Sequence, residues 1–294
     1  MVRPHSVRTL VTIAGIRFQM SGNLGTGHFL PYFTDFLSPA LSSDFQCDIA
    51  VAGASEKLRR TPRNSANPWS FSFSDGACEV FRRSPDGDVW WHMRGNRDFS
   101  QVETTWSSQL FAERYGSYHE AWSTGLGLVY MAMRLRTIGG FPFHGAAADL
   151  DGHGIICTGL SGVGKSTISR LLNDAGIPVL TDERAILRRT SPDSDNFLAC
   201  GSPWPSSAGL AANSQAPLRR IYLLAHGREN RLTTLLPAEA VRRLIPLIAI
   251  PWQSPALLDP FLATLDSLVR NVPCKLLEFR PEPDIVPFLR RDLA

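Results

Sequence analysis

The sequence of 294 residues is 44% hydrophobic, which is enough to bury one large core or two moderate ones. Its 30 basic and 27 acidic residues leave a net charge of +3. This balance argues against a nucleic-acid-binding protein, which usually carries a concentrated basic surface. The five cysteines have no CxxC or other metal-ligand spacing, so we expect reduced thiols in a cytoplasmic protein.

Residues 1–105 are predicted to form a β-rich N-terminal region. Short alternating runs, such as 11–13 and 89–93, are separated by turn signals, among them the sequence Ser-Pro-Asp-Gly-Asp at 84–88. The apolar stretch 10–16 is too short for a signal peptide and is better interpreted as a first strand. We assign this region a role in substrate recognition.

Apolar residues at helical spacing continue from about residue 106 to residue 138, where Gly139 and Gly140 end the pattern. We predict a helix here that leads into a second domain, so that the second domain comprises residues 106–294.

The second domain is predicted to alternate strands and helices, which gives the chain an α/β (α+β) fold class. Its most apolar segment, 244–265, contains four prolines and Asp259 and therefore cannot form a continuous membrane helix. We expect no membrane partner. The strands are predicted at 143–148, 155–158, 179–180, 186–189, 221–225 and 275–279, and the helices at 168–175, 237–247 and 260–269.

A glycine-rich loop at 159–167 matches GxxxxGK[ST], the Walker A or P-loop motif, and lies between a predicted strand and a predicted helix. Glycines let the backbone wrap around phosphate oxygens, and the amides and the following helix N-terminus favour an anion. Lys165 is expected to reach the β- and γ-phosphates of ATP, and the Ser166 hydroxyl to ligate Mg²⁺. The predicted ATP-binding residues are Gly159, Ser161, Gly162, Val163, Gly164, Lys165, Ser166 and Thr167.

Two adjacent acids, Asp182 and Glu183, follow a short predicted strand 17 residues after Lys165. Phosphoryl transfer to a hydroxyl needs a base and a second metal ligand. We assign Asp182 as the base and Glu183 as the metal ligand, although the reverse assignment is open. The alternative is that Asp182 is a turn residue, or that Glu183 pairs with Arg184 at the surface.

The order of these motifs resembles HPr kinase/phosphorylase and its relatives. The resemblance covers about residues 140–235 and includes a His-Gly step at 144–145, a hairpin at 151–154, the loop and the acid pair. It implies a PEP carboxykinase-like P-loop core and Mg²⁺/ATP-dependent phosphorylation of a serine hydroxyl. It also implies that Asp182 is the base and that His144, which alone would be more typical of a structural histidine, lies near the phosphates. Arg228 and Arg231 are the candidates that it implies for stabilising the transferred phosphoryl group.

The sequence also departs from that family. The second acid is Glu183 rather than Asp, and no stretch matches the second signature of true HPr kinases. In the segment 201–209, Ser206 and Ser207 replace a Gly-Glu pair. The chain therefore resembles a branch with another substrate, and one such branch phosphorylates a C-terminal serine of lasso-peptide precursors.

Three functions stay open from the sequence. The first is a serine kinase acting on a peptide or protein, and the second is a kinase of a small hydroxylated metabolite with the same site chemistry. The third is a sensor or scaffold that binds ATP without transferring its phosphate. HPr kinases form hexamers, so an oligomer is also compatible with the resemblance.

Overall fold

The computed structural model describes residues 7–22, 29–38, 47–55, 69–74, 76–83, 89–107, 118–206, 208–250, 252 and 255–294. The chain divides into two compact units, Met1–Arg134 with Pro251–Leu258, and Leu135–Ile250 with Asp259–Ala294. Both contain a large sheet, and helices accompany the strands, which confirms the predicted α/β class.

The first unit is built on one sheet of eight strands within the described residues, in the order β3-β1-β2-β4-β8-β7-β6-β5. The neighbours β2–β4 and β4–β8 are parallel, and the other pairs are antiparallel. The turn predicted at 84–88 lies outside the described residues. The strands are β1 (Val7–Ile13), β2 (Ile16–Gly22), β3 (Leu37–Ser38), β4 (Cys47–Ser55), β5 (Trp69–Ser74), β6 (Ala77–Arg83), β7 (Val89–Asn96) and β8 (Gln101–Ser107), and a 3₁₀ helix spans Pro31–Phe36.

The helical segment after β8 groups with the first unit, whereas we expected it to open the second domain. It comprises helices Tyr118–Ala121 and Gly127–Leu135, joined by a π-helical turn. The Tyr130 hydroxyl donates to the Phe99 carbonyl at 2.7 Å, and Arg134 pairs with Asp98 at 3.2 Å. These contacts tie the helix to the turn before β8, and the first compact unit accordingly extends to Arg134.

The predicted helix also began too early. Trp106 lies in β8, where Val102, Thr104 and Trp106 are buried at every second position. That period of two is typical of a strand, and it overrides the helical spacing that we assigned from residue 106.

The second unit contains eight strands and several helices among the described residues. The strands are β9 (Gly140–Leu150), β10 (His153–Thr158), β11 (Val179–Thr181), β12 (Arg184–Arg189), β13 (Phe197–Cys200), β14 (Gln215–His226), β15 (Arg231–Thr234) and β16 (Cys274–Phe279). The helices are Lys165–Asp174, Pro237–Leu244, Pro255–Asn271 and Ile285–Leu293, with 3₁₀ turns at Arg136–Ile138 and Ile245–Leu247.

The strand pairing of this unit closes on itself. Strand β14 pairs with β13 and, in parallel, with β10, while β10 pairs with β9, β9 with β12, and β12 with β13. Both β10 and β11 are antiparallel to β9, so they run in the same direction and their carboxyl ends lie at one edge. At that edge Thr158 is opposite Gly145, and Arg184 is opposite both His144 and Gly145.

Helices Lys165–Asp174 and Ile285–Leu293 bury their apolar sides in the core of this unit. Ile168 and Leu172 of the first helix and Leu289 of the second contact one hydrophobic cluster with residues of β10, β14 and β16. Asp292, near the C-terminus, accepts hydrogen bonds from Arg220 and Tyr222 at 3.2 and 2.9 Å and pairs with Lys275.

The helix predicted at 260–269 begins at Pro255 and ends at Asn271, so Pro260 lies inside it. Among the described residues, no helix is both long enough and apolar enough to cross a bilayer. All five cysteines are buried free thiols, and burial raises the Cys157 pKa to about 12.

Candidate nucleotide-binding site

The glycine-rich loop connects β10 to the helix Lys165–Asp174, as the sequence predicted. Gly164, immediately before the helix, has φ = +100°, a left-handed conformation that residues with a Cβ rarely adopt. A Cβ at this position would lie only 2.7 Å from Cζ of Phe279. The loop therefore requires glycine at Gly164 for both its backbone conformation and its close contact with the Phe279 ring.

Lys165 is the first residue of the helix, and its ammonium lies against the loop. Its Nζ donates to the carbonyl oxygens of Gly159 and Leu160 at 2.9 and 3.1 Å. Burial lowers the pKa of Lys165, Glu183 opposes that shift, and Arg184 adds to it. A lysine ammonium beside a glycine-rich loop at a helix N-terminus is an arrangement that suits a polyanion.

The loop and the acid pair line one cavity of about 330 Å³. The parallel course of β10 and β11 explains this, because it brings residues 158–166 and 182–183 to the same edge of the sheet. Of the residues assigned to ATP, Gly159 and Val163 are absent from the described lining, and the Val163 side chain packs against the hydrophobic core instead. The lining consists of His144, Ser161, Gly162, Gly164, Lys165, Ser166, Thr167, Asp182, Glu183 and Ser206.

Asp182 is only 1% exposed, and Ser206 binds both of its carboxylate oxygens. The Ser206 amide donates to Oδ1 at 2.7 Å, and the Ser206 hydroxyl donates to Oδ2, also at 2.7 Å. The Asp182 amide donates in turn to the Leu210 carbonyl at 3.2 Å. Asp182 is therefore held in place by two hydrogen bonds from Ser206, and its carboxylate faces a hydroxyl.

Glu183 faces the same cavity but is less buried than Asp182. Its Oε1 lies 3.4 Å from a terminal guanidinium nitrogen of Arg184, and both side chains are about one-third exposed, at 30% and 33%. The pairing that we considered as the surface alternative is thus present, although Glu183 also lines the cavity. Its carbonyl oxygen accepts a hydrogen bond from the Gly145 amide at 2.8 Å, which fixes the backbone beside β9.

His144 is a neutral imidazole at physiological pH. Burial, together with the positive charges of Lys165 and Arg184, lowers its pKa to about 4. Its Nδ1 is buried and has no hydrogen-bond partner among the described residues. The ring lines the cavity, and an unpartnered buried nitrogen of this kind calls for a partner such as a bound ligand or a water.

The structure does not bring Arg228 and Arg231 into this lining. Both are exposed after β14, and Arg231 donates to Glu278 at 2.7 Å. The phosphoryl-stabilising role assigned to them stays a prediction. A second cation near the site, besides Lys165, is Arg184, whose charge affects the pKa values of both His144 and Lys165.

Comparison with known proteins gives matches among the solved structures. No family model and none of the curated proteins matches the sequence. Among solved structures, it is similar to the Hpr(Ser) kinase/phosphatase from Coxiella burnetii, with 16% sequence identity and a TM-score of 0.31. The match covers 51% of this chain and 94% of that chain. A likeness of this size says nothing about activity or substrate, which depend on the residues of the site.

Magnesium suits the oxygen donors of the cavity. No group of three or more His, Cys, Asp or Glu side chains within the described ranges is placed to hold a metal. Mg²⁺ in phosphoryl-transfer sites, however, needs one or two carboxylates and completes its shell with phosphates and waters. The Ser166 hydroxyl and the carboxylates of Asp182 and Glu183 all line the cavity, so the donor set fits this ion.

Sequence reasoning missed two functional candidates. Arg184 appeared only as a surface partner of Glu183, yet it lies at the edge where β12 meets His144. Ser206 appeared only as a departure from a family pattern, yet it holds Asp182. The signal available for Arg184 was its position directly after the acid pair, whereas no local pattern indicates a contact between residues 182 and 206.

Proposed function

We propose that this protein is an ATP- and Mg²⁺-dependent kinase that transfers the γ-phosphoryl group of ATP to a serine hydroxyl of a peptide or protein. One observation carries the proposal. A single cavity combines the glycine-rich loop, the Lys165 ammonium and a buried carboxylate, Asp182, that is hydrogen-bonded to a hydroxyl. A phosphate-binding loop with a carboxylate base is the arrangement that phosphoryl transfer to an alcohol requires.

The residues have distinct roles in this proposal. The loop amides and the helix N-terminus bind the phosphates, and Lys165 neutralises charge on the β- and γ-phosphates. Asp182 accepts the proton of the acceptor hydroxyl, and neutral His144 offers a nitrogen for a hydrogen bond with a phosphate or with the acceptor. Arg184 adds positive charge beside the transferred group. Ser166 and Glu183 would hold Mg²⁺, which supplies further charge neutralisation when bound.

The acceptor that we favour is a ribosomally made peptide, such as a lasso-peptide precursor. The support is the combination of the loop, acid pair and His-Gly step with the β-rich residues 1–105, to which we assign substrate recognition and which belong to the first unit. In this proposal the enzyme works in the cytoplasm, without nucleic acid or membrane partners, and a PEP carboxykinase-like core binds the nucleotide.

The proposal can be tested with labelled ATP, Mg²⁺ and a panel of serine-containing peptides. We expect Asp182→Asn to lower transfer by about 100-fold or more while ATP affinity changes little, because general-base catalysis contributes that much. Lys165→Met should weaken ATP binding itself. Asp174→Asn is the matched control, since Asp174 is an exposed acid at the opposite end of the same helix. A wild-type protein that binds no ATP would refute the proposal.

A sensor that binds ATP without transfer is the second candidate. The observation in its favour is that Asp182 is almost fully buried and that both of its oxygens bond to Ser206. A sensor would bind ATP tightly, transfer no label to any peptide or metabolite, and respond little to Asp182→Ala. In the kinase, the same substitution abolishes turnover, so measuring binding and turnover on the same samples separates the two.

A further inference from the structure

We propose that Ser206 is an intrinsic phosphoacceptor, which the kinase site phosphorylates within the same chain. This inference rests on the proposed kinase function and extends it to a named modification site. The observation behind it is the hydrogen bond that the Ser206 hydroxyl donates to Oδ2 of Asp182 at 2.7 Å.

The Ser206 hydroxyl already lies at the hydrogen-bond distance from Asp182 that an acceptor serine must reach. A general base must lie within about 2.6–3.2 Å of the oxygen whose proton it takes, and this pair meets that condition. Ser206 also lines the same cavity as Lys165 and Ser166 of the phosphate-binding loop. Base, hydroxyl and phosphate-binding groups therefore share one space.

The bonding of the hydroxyl leaves it able to attack. A serine hydroxyl has one donor and two acceptor lone pairs. The Ser206 proton is directed to Asp182, and one lone pair accepts from the Ala208 amide at 3.2 Å. The second lone pair has no donor among the described residues and can form the new bond.

The reaction balances with ATP as the phosphoryl donor. The Ser206 Oγ lone pair forms a bond to the γ-phosphorus, and the bond from that phosphorus to the β–γ bridging oxygen breaks. The bridging oxygen keeps the electron pair and leaves with ADP, while the hydroxyl proton passes to Oδ2 of Asp182. Because Ser206 has a single hydroxyl, it takes up one phosphate.

Other serines of the cavity are less suitable acceptors. Ser161 and Ser166 also line it, but in the described structure neither bonds to the Asp182 carboxylate. The Ser206 amide holds Oδ1 of Asp182 independently of the side chain. Replacing the Ser206 side chain therefore removes the hydroxyl while keeping one anchor of the base.

The test is incubation of the full chain with ATP and Mg²⁺ without any added acceptor, followed by intact-mass analysis and peptide mapping. We expect a gain of about 80 Da, one phosphate, located at Ser206. Ser206→Ala should lose the added mass, Ser206→Thr should retain it at a lower rate, and Ser191→Ala, which changes an exposed serine, should behave as wild type. Asp182→Asn should slow incorporation by about 100-fold or more.

Further measurements separate this inference from the proposed function. For a reaction within one chain, the first-order rate constant should not change over a tenfold dilution of the protein, and a rate constant that rises with protein concentration would overturn the proposal. ATP binding and transfer to a peptide with no phosphate at Ser206 would overturn the inference and leave the kinase function standing. Absence of ATP binding would instead remove the proposed function itself.

Discussion

Replacing Gly164 with alanine should destabilise the protein through two separable effects. The residue has φ = +100°, and an L-residue in the left-handed region loses about 1–2 kcal/mol. Its Cβ would also lie 2.7 Å from Cζ and 3.1 Å from Cε1 of Phe279, a buried ring. Overpacking of this kind typically costs about 1–3 kcal/mol. We therefore expect Gly164→Ala to lower the free energy of unfolding by about 3 kcal/mol.

Gly176→Ala is the matched control, because Gly176 has φ = +75° but a Cβ there meets nothing within 4 Å. It should lose about 1 kcal/mol, the backbone penalty alone. Urea denaturation measures both losses, and calorimetric titration with ATP should show weaker binding only for Gly164→Ala. Adding Phe279→Leu to Gly164→Ala should recover part of the loss in a double-mutant cycle. Equal losses at Gly164 and Gly176 would refute the predicted clash with the Phe279 ring.

Two further substitutions test the electrostatics of the second unit. His144 has a folded pKa of about 4, below the unfolded value of about 6.5, so the unfolded chain takes up its proton first as the pH falls. Its stability contribution is complete above pH 6.5 and is lost toward pH 4. The free energy of unfolding should therefore fall between pH 7 and pH 5 by about 1 kcal/mol more in the wild type than in His144→Gln, a value reduced because the ring is only partly buried. An equal fall in the two proteins would contradict the pKa shift. Asp292→Asn leaves Lys275 and Arg220 without their anion and should lower the free energy of unfolding, measured by urea denaturation, by about 3 kcal/mol. The control Asp174→Asn changes an exposed acid and should lower it by less than about 0.5 kcal/mol. Equal losses for Asp292→Asn and Asp174→Asn would contradict the anchoring role.

The loop and its flanking elements were predictable because their signals are local. Strand β10, the glycines and the helix from Lys165 follow one another within about 20 residues, and each has its own sequence signature. The closeness of Asp182 to the loop was also predictable, since a second short strand in the same direction ends at the same edge of a sheet.

The remaining parts depend on tertiary contacts that leave no local pattern. Ser206 reaches Asp182 from a segment without regular structure, 24 residues further along the chain. The helical spacing near Trp106 was misleading because burial in a sheet decides the conformation there. The helix that contains Pro260 begins earlier than predicted. Pro255 is its first residue, where proline is tolerated, and the helix continues through Pro260.

The many neighbours of β14 have a consequence for the dynamics of the site. Along its length this strand shares backbone hydrogen bonds with β10, β13 and β16. Amides at its centre, around Leu223, should therefore exchange with deuterium only through the largest opening of this unit. Strand β10, which leads into the glycine-rich loop, pairs with β14, the part of the sheet that we expect to exchange most slowly. A nucleotide that binds should slow exchange in the loop and at Ser206 and leave β10 almost unchanged.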